Sequence, residues 1–218
     1  MCGRYLTPDQ AAFERHFGLA VPPDYFRSYN LAPSQSGPVV RISRAGDRVA
    51  ELFTWGFQPA WAKRAWINAR SETAFTSTAF GSAARKRRCL VPTLGWYEWQ
   101  GQKAPKQPFV FHLDGFRPFA FAGLWTARQT EDGWQGSYAI LTTAARPPLD
   151  EIHNRMPVVL APEDYDSWIS PDTASADAEA IAARSFGEVQ TYPVSTYVNK
   201  PANDDAACIK PTATGRLL

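Results

Sequence analysis

The feature that most constrains this chain is a series of short β-prone runs, at 39–42, 49–56, 89–99, 109–113, 119–125, 138–143 and 157–160. Turn signals separate them: Arg-Ala-Gly-Asp at 44–47, the 101–108 segment, Asp114-Gly115 and Asp132-Gly133. Strand runs continue on both sides of every candidate cut, and no repeat or linker interrupts them. The expected fold is a single α+β domain over 1–218, with a curved, largely antiparallel, barrel-like sheet and flanking helices.

Three segments read as helix. Thr7-Pro8-Asp9-Gln10 reads as a helix start, with Thr7 as N-cap, Pro8 as first helical residue and Gln10 closing a capping box. Gly18 supplies the stop, which gives a helix over 8–17. Residues 72–88 and the alanine-rich 171–186, ending at Gly187, complete the set. Residues 2–6 have room only for an extended segment, so Cys2 leads directly into ordered structure.

Composition narrows the class. At 44% apolar and 13% aromatic residues the chain can bury a sizeable core, and most of its eight tryptophans belong there. The net charge of +2, from 23 basic and 21 acidic residues, permits a narrow basic groove rather than a broad basic face. Cys2, Cys89 and Cys208 are odd in number and far apart, which argues against a disulfide framework or a zinc site. No metal or organic cofactor is indicated. No apolar run reaches the roughly 20 residues of a membrane span, and the N-terminus lacks a signal peptide. A cytoplasmic monomer is the expectation.

Five features could carry chemistry. A small second residue normally permits removal of the initiator methionine, and Cys2 would then hold an α-amine and a thiol together. An α-amine with a pKa near ~8 is partly neutral at physiological pH. It can condense with an aldehyde to an imine, which the neighbouring thiol can close to a five-membered thiazolidine. The plain alternative is a cysteine placed there by chance. Glu98 stands among Trp96, Tyr97 and Trp99, where lost solvation would raise its pKa toward proton transfer; otherwise it is an edge-strand carboxylate in water. His153 and Arg155 alternate on one face, a proton carrier beside a phosphate-holding guanidinium, or else a satisfied structural histidine. Asn68 and Arg70 alternate likewise downstream of Trp61, a mixture of ring and cation that suits a single strand; each tryptophan alone reads as core. The Arg-Lys-Arg-Arg run at 85–88 reads as a solvated helix end.

Together these segments resemble the SOS response-associated peptidase (SRAP) family. The matching pieces are Met-Cys-Gly-Arg at 1–4, Tyr-Asn-Leu-Ala-Pro at 29–33, Trp-Gly-Phe-Gln-Pro-Ala-Trp at 55–61 and Asn-Ala-Arg-Ser-Glu at 68–72. They continue with Cys-Leu-Val-Pro at 89–92, Gly-Trp-Tyr-Glu-Trp at 95–99, Phe-Ala-Gly-Leu-Trp at 121–125, Thr-Thr-Ala-Ala at 142–145 and Ile-His-Asn-Arg-Met-Pro at 152–157. Val198-Asn199 and the Asn-Asp-Asp at 203–205 close the series. Thr93-Leu94 departs from the family pattern of a small residue followed by Asp.

The resemblance implies a protein that crosslinks abasic sites in single-stranded DNA through Cys2. It implies Glu98 as the acid/base group of imine formation, His153 as promoter of sugar opening, and Asn68 as positioner of the sugar and the amine. Arg4, Arg70 and Arg155 would hold phosphates, Asn30, Pro33 and Thr143 would line the pocket, and Trp61 would lie against a base. The family name also carries a peptidase activity, for which Met1 is the only leader here. Two other readings stay open: a cysteine peptidase using Cys2 with His153, and a noncovalent single-strand binding module.

Overall fold

A computed structural model describes residues 2–212 apart from 102, 104 and 132. Met1, whose removal the expected chemistry of Cys2 would need, lies outside the described residues. So do Asp132 of the Asp132-Gly133 turn and two residues of the 101–108 turn.

In chain order the strands are β1 (Tyr5–Leu6), β2 (Ser36–Ile42), β3 (Arg48–Trp55), β4 (Asn68–Arg70), β5 (Arg88–Thr93), β6 (Gly95–Gln100), β7 (Gln107–His112), β8 (Phe119–Thr130), β9 (Gly133–Ala144), β10 (Arg155–Pro157), β11 (Val159–Leu160) and β12 (Gln190–Pro193). The helices are α1 (Gln10–Phe17), α2 (Ser71–Ala74), α3 (Gly81–Lys86), α4 (Tyr165–Ile169) and α5 (Ser175–Arg184).

Five strands close a barrel in the order β9-β3-β2-β5-β8, because β8 pairs back onto β9. Every pairing around it is antiparallel except β3 with β9, where Thr54 lies opposite Ser137 in parallel register. β4 and β10 extend β9, and β11 extends β8. A second antiparallel sheet, β1-β6-β7-β12, packs beside the barrel.

Alternation along the strands fills both sides of the barrel wall. On β9, Tyr138 and Ile140 join the cluster that fills the barrel with Trp55, Val39, Phe121 and Cys2. Ala139 and Leu141 face an outer cluster with Phe13, Phe17, Phe80, Trp168 and Ile181 from the helices. Strands buried on both faces read as continuous apolar runs, which is why 89–92, 119–124 and 138–141 show so little polar alternation.

Several local expectations are corrected. α1 starts two residues later than predicted: Asp9 is its N-cap and accepts from Ala12 N at 2.8 Å. Thr7 cannot cap because its hydroxyl accepts from Ser28 N at 2.7 Å, and Gln10 donates to Glu14 instead of closing a capping box. Gly18 ends the helix in the left-handed conformation, as its position predicted. The helix expected over 72–88 is two short ones. Between them the Ser77 hydroxyl accepts from Ala79 N and Phe80 N, an alternative to continued helix that serine offers readily. The 171–186 helix is trimmed to α5.

The run at 89–99 is not one strand. Thr93 and Leu94 turn the chain out of the barrel into the second sheet, with Thr93 Oγ1 accepting from Gly95 N at 3.0 Å. A Cβ on Gly95 would stand 2.2 Å from the Phe111 carbonyl oxygen, so only glycine fits this turning point.

Candidate active site

β1 pairs with the strand that carries Glu98. Tyr5 lies opposite Trp96, and Tyr97 N donates to Arg4 O at 3.0 Å. Continuing that register places Gly3 beside Glu98 and draws Cys2 inward. Cys2 is fully buried. Its carbonyl accepts from Asn68 Nδ2 at 2.8 Å, so β4 fixes the backbone of the chain's second residue from the other side. Asn68 Oδ1 is buried and has no hydrogen-bond partner among the described residues.

Glu98 is 3% exposed on β6. Alternation sends Tyr97 and Trp99 into a separate cluster with Leu6 and Val198, while Trp96 and Glu98 face the barrel side. Burial pushes the Glu98 carboxyl up to about 7. His153 Nε2 stands 3.9 Å from Glu98 Oε2. The other ring nitrogen, Nδ1, accepts the Arg155 backbone N–H at 3.0 Å, which turns Nε2 toward the carboxylate. Burial lowers the pKa of His153 and, with Glu98 nearby, raises the Cys2 thiol well above its ordinary value. The pocket therefore favours neutral groups: a thiol, a neutral imidazole and a carboxyl poised between its two states.

The remaining predicted residues fall into two groups. Arg4, Asn30 and Arg155 are committed to contacts within the protein. Arg4 donates to Asn30 Oδ1 at 3.2 Å and to Val198 O at 3.0 Å. The buried Asn30 amide lies 3.0, 3.1 and 2.9 Å from the carbonyls of Val198, Lys200 and Asn203. Arg155 forms a bidentate pair with Glu72, at 2.6 and 2.9 Å, and also reaches Thr142 O. The second group is accessible. Arg70 is exposed, and Pro33 and Thr143 are half-buried. Trp61 is 65% exposed near the tip of a loop closed by Phe57–Trp66 bridging, and the chain then runs directly into β4.

Sequence reasoning assigned no role to Glu72, although it stands within the 68–72 motif. Its pairing with Arg155 joins residues far apart in the chain, and no local pattern announces that. Arg88 is a further correction. The end of the basic run is not solvated: Arg88 is 1% exposed and donates to backbone carbonyls of Ala84, Arg85, Trp168, Ser170 and Thr173. Among the described residues, no three His, Cys, Asp or Glu side chains gather closely enough to hold a metal ion. No helix among them is long and apolar enough to cross a membrane.

The pattern of the SOS response associated peptidase (SRAP) family matches residues 1–201. The chain belongs to the SRAP family. Among SRAP relatives, it is 33% identical over 224 residues to abasic site processing protein YedK of Escherichia coli, covering 97% of this chain and 100% of that one. Abasic site processing protein YoaM of Bacillus subtilis is 32% identical over 222 residues, with 94% and 96% covered. The chicken protein HMCES is 28% identical over 266 residues, covering 99% of this chain and 79% of its own. A crystal structure of a Bacteroides thetaiotaomicron protein superposes with a TM-score of 0.81 at 20% identity, covering 97% of this chain and all of that one, and shares this fold.

Proposed function

We propose that this protein processes abasic sites in single-stranded DNA by linking covalently to them through Cys2. The observation that carries the reading is the convergence of buried Cys2 and Glu98 with half-buried Asn68 and His153, brought by the segment before β1, β6, β4 and the segment before β10. The names of the relatives, abasic site processing proteins, support the choice of DNA lesion.

Hydrolysis of the Met1–Cys2 bond first frees the Cys2 α-amine. The open-chain abasic sugar presents an aldehyde, and the amine attacks its carbon to give a carbinolamine. Loss of one water leaves the imine. The Cys2 sulfur then adds to the imine carbon while its proton passes to nitrogen, which closes the thiazolidine. A carboxyl with a pKa of about 7 can donate the proton that expels water and can accept the one the thiol releases. His153, facing Glu98, assists opening of the closed sugar, and Asn68 holds the Cys2 backbone while its second amide atom meets the sugar. A thiol kept protonated by burial supports this order of events, because the amine then attacks the aldehyde first and the sulfur adds to the imine only as Glu98 takes its proton. A thiolate–imidazolium peptidase would need the opposite shift.

Trp61 and Arg70 would meet the strand directly, the ring against a base and the guanidinium on a phosphate. Arg155 would exchange Glu72 for a phosphate. Arg4 and Asn30, together with Pro33 and Thr143, would shape the wall around the lesion. The protein acts as a monomer on DNA in the cytoplasm.

The test uses protein whose Met1 has been removed, verified by intact mass, with Cys2→Ala alongside. Incubation with an abasic single-stranded oligonucleotide should give a heat-stable band on a denaturing gel. Its mass should equal protein plus oligonucleotide minus one water. Undamaged oligonucleotide and Cys2→Ala should give none. Absence of the adduct from processed wild-type protein would sink the covalent reading.

A further inference from the structure

We propose that a second surface, at the other end of β9 from the Cys2 cluster, binds undamaged single-stranded nucleic acid. Asn68 and Arg70 pair with Ile140 and Thr142 of β9. Trp134 is the second residue of the same strand. Six to eight residues of strand separate the two places, roughly 20–27 Å.

Even-numbered residues of β9 from Gly136 to Ile140 face the barrel interior, where Gly136 packs on Phe53. Trp134 continues that face past the mouth and is 69% exposed. Just inside, Arg41 lies over the Trp125 ring at 4.6 Å and is ion-paired with Glu51. Around this mouth lies a depression of about 710 Å³ that adjoins a smaller one of about 170 Å³, the two sharing Arg41, Arg44 and Trp125. Arg44, Lys86 and Arg87 bring cations from the β2–β3 turn and the end of α3. Of the basic run at 85–88, Lys86 and Arg87 thus face this surface, while Arg85 and Arg88 are bonded to backbone carbonyls.

Charge separates this surface from the others. Depressions beside α5 and beside His153 each carry two carboxylates: Glu163 and Asp164, Glu72 and Glu179, or Asp150 and Glu151. No described residue lining the Trp134 depressions is acidic. In a chain with a net charge of only +2, that is local segregation of positive charge. An exposed indole beside Arg44, Lys86 and Arg87, with Glu51 already engaged by Arg41 and Glu131 at the neighbouring hairpin tip outside the lining, matches what a single strand presents, a ring to stack and phosphates to neutralise. An acidic polypeptide would use the cations but leave the free indole face without a planar partner.

The test measures binding of fluorescein-labelled oligothymidylate of about 20 nucleotides, more than long enough to reach both ends, by anisotropy at low salt. Trp134→Ala should weaken binding about fivefold or more, as loss of one stacked base predicts. Arg44→Glu/Lys86→Glu should weaken it more than about tenfold and flatten the log–log salt slope by about 1.4, the value for two lost phosphate contacts on a single strand. Both variants should crosslink a short abasic oligonucleotide at the wild-type rate. Unchanged oligothymidylate affinity in both variants would overturn the proposal. So would loss of poly-glutamate and oligothymidylate binding together in the charge variant with Trp134→Ala unaffected, which marks a surface for acidic protein. Oligothymidylate holds no aldehyde, so failure of crosslinking in wild-type protein would leave this result standing.

Discussion

Glu98 binds its proton more tightly in the folded protein than in the unfolded chain, with a pKa raised from 4.5 to about 7 by burial. Between those two values the native state holds the extra proton, so stability falls as pH rises through the interval and stays at its lower level above it. Glu98→Gln removes that ionisation. Urea unfolding at pH 4 and pH 8 should show the variant gaining on wild type by up to about 3 kcal/mol across the range. A constant difference would mean that the carboxyl is not held in the neutral direction. The same shift is what suits Glu98 to moving protons near neutral pH. Arg155 illustrates the opposite economy: a guanidinium with Glu72 in its fork is already neutralised and already aimed. Under the proposed function, a phosphate arriving there would meet a preoriented donor, but only after the carboxylate had given way.

At the scale of elements, Arg88 joins pieces that share no sheet pairing. It begins β5, and its guanidinium ties the end of α3 to the end of α4 through carbonyls of Ala84 at 2.7 Å and Trp168 at 2.6 Å. Trp168 returns a bond from Nε1 to Cys89 O at 2.9 Å. Among the described residues its partners are backbone carbonyls rather than carboxylates. Arg88→Met should therefore cost more than about 3 kcal/mol in urea unfolding, since several buried carbonyls lose their donors at once. Arg88→Lys should recover only part of it, because an ammonium cannot reproduce the five-donor fork. Equal stability of Arg88→Met and wild type would show that water satisfies those carbonyls instead.

Over the whole molecule, an early segment at Arg4 and a late one at 198–204 are tied to the same loop. Asn30 accepts from Arg4 and donates to the 198–203 segment, while Asp204 Oδ1 accepts from Ser28 Oγ and from the backbone of Asn30. The late segment thereby buttresses Arg4 and the segment that leads from Cys2 into β1. Asn30→Ala should raise amide exchange across 196–209 by about tenfold while leaving β8 and β9 protected, because the barrel does not depend on the tie. Uniformly faster exchange would place Asn30 in the global core instead.

Much of this was local and therefore written in the chain. Gly18 stops α1 because few other residues adopt its left-handed backbone at so little cost. Alternation along 95–99 separates Glu98 and Trp96 from Tyr97 and Trp99, and that separation holds. Cys2, Asn68, Glu98 and His153 were each visible as reactive or donor groups in suggestive settings. What no local pattern could supply was their meeting, since residues 2, 68, 98 and 153 are brought together by pairings between strands remote in sequence. The parallel contact of β3 with β9 closes the barrel, and its register depends on which faces both layers bury. The turn at Leu94, the burial of Arg88 and the capture of Arg155 by Glu72 arise the same way. Each is a contact between distant residues whose energy exists only once the barrel has closed. The sequence by itself determined the local stops, the alternation and the chemical groups available; tertiary structure alone decided which of those groups share a pocket, because proximity across the chain is created by burial and not by order.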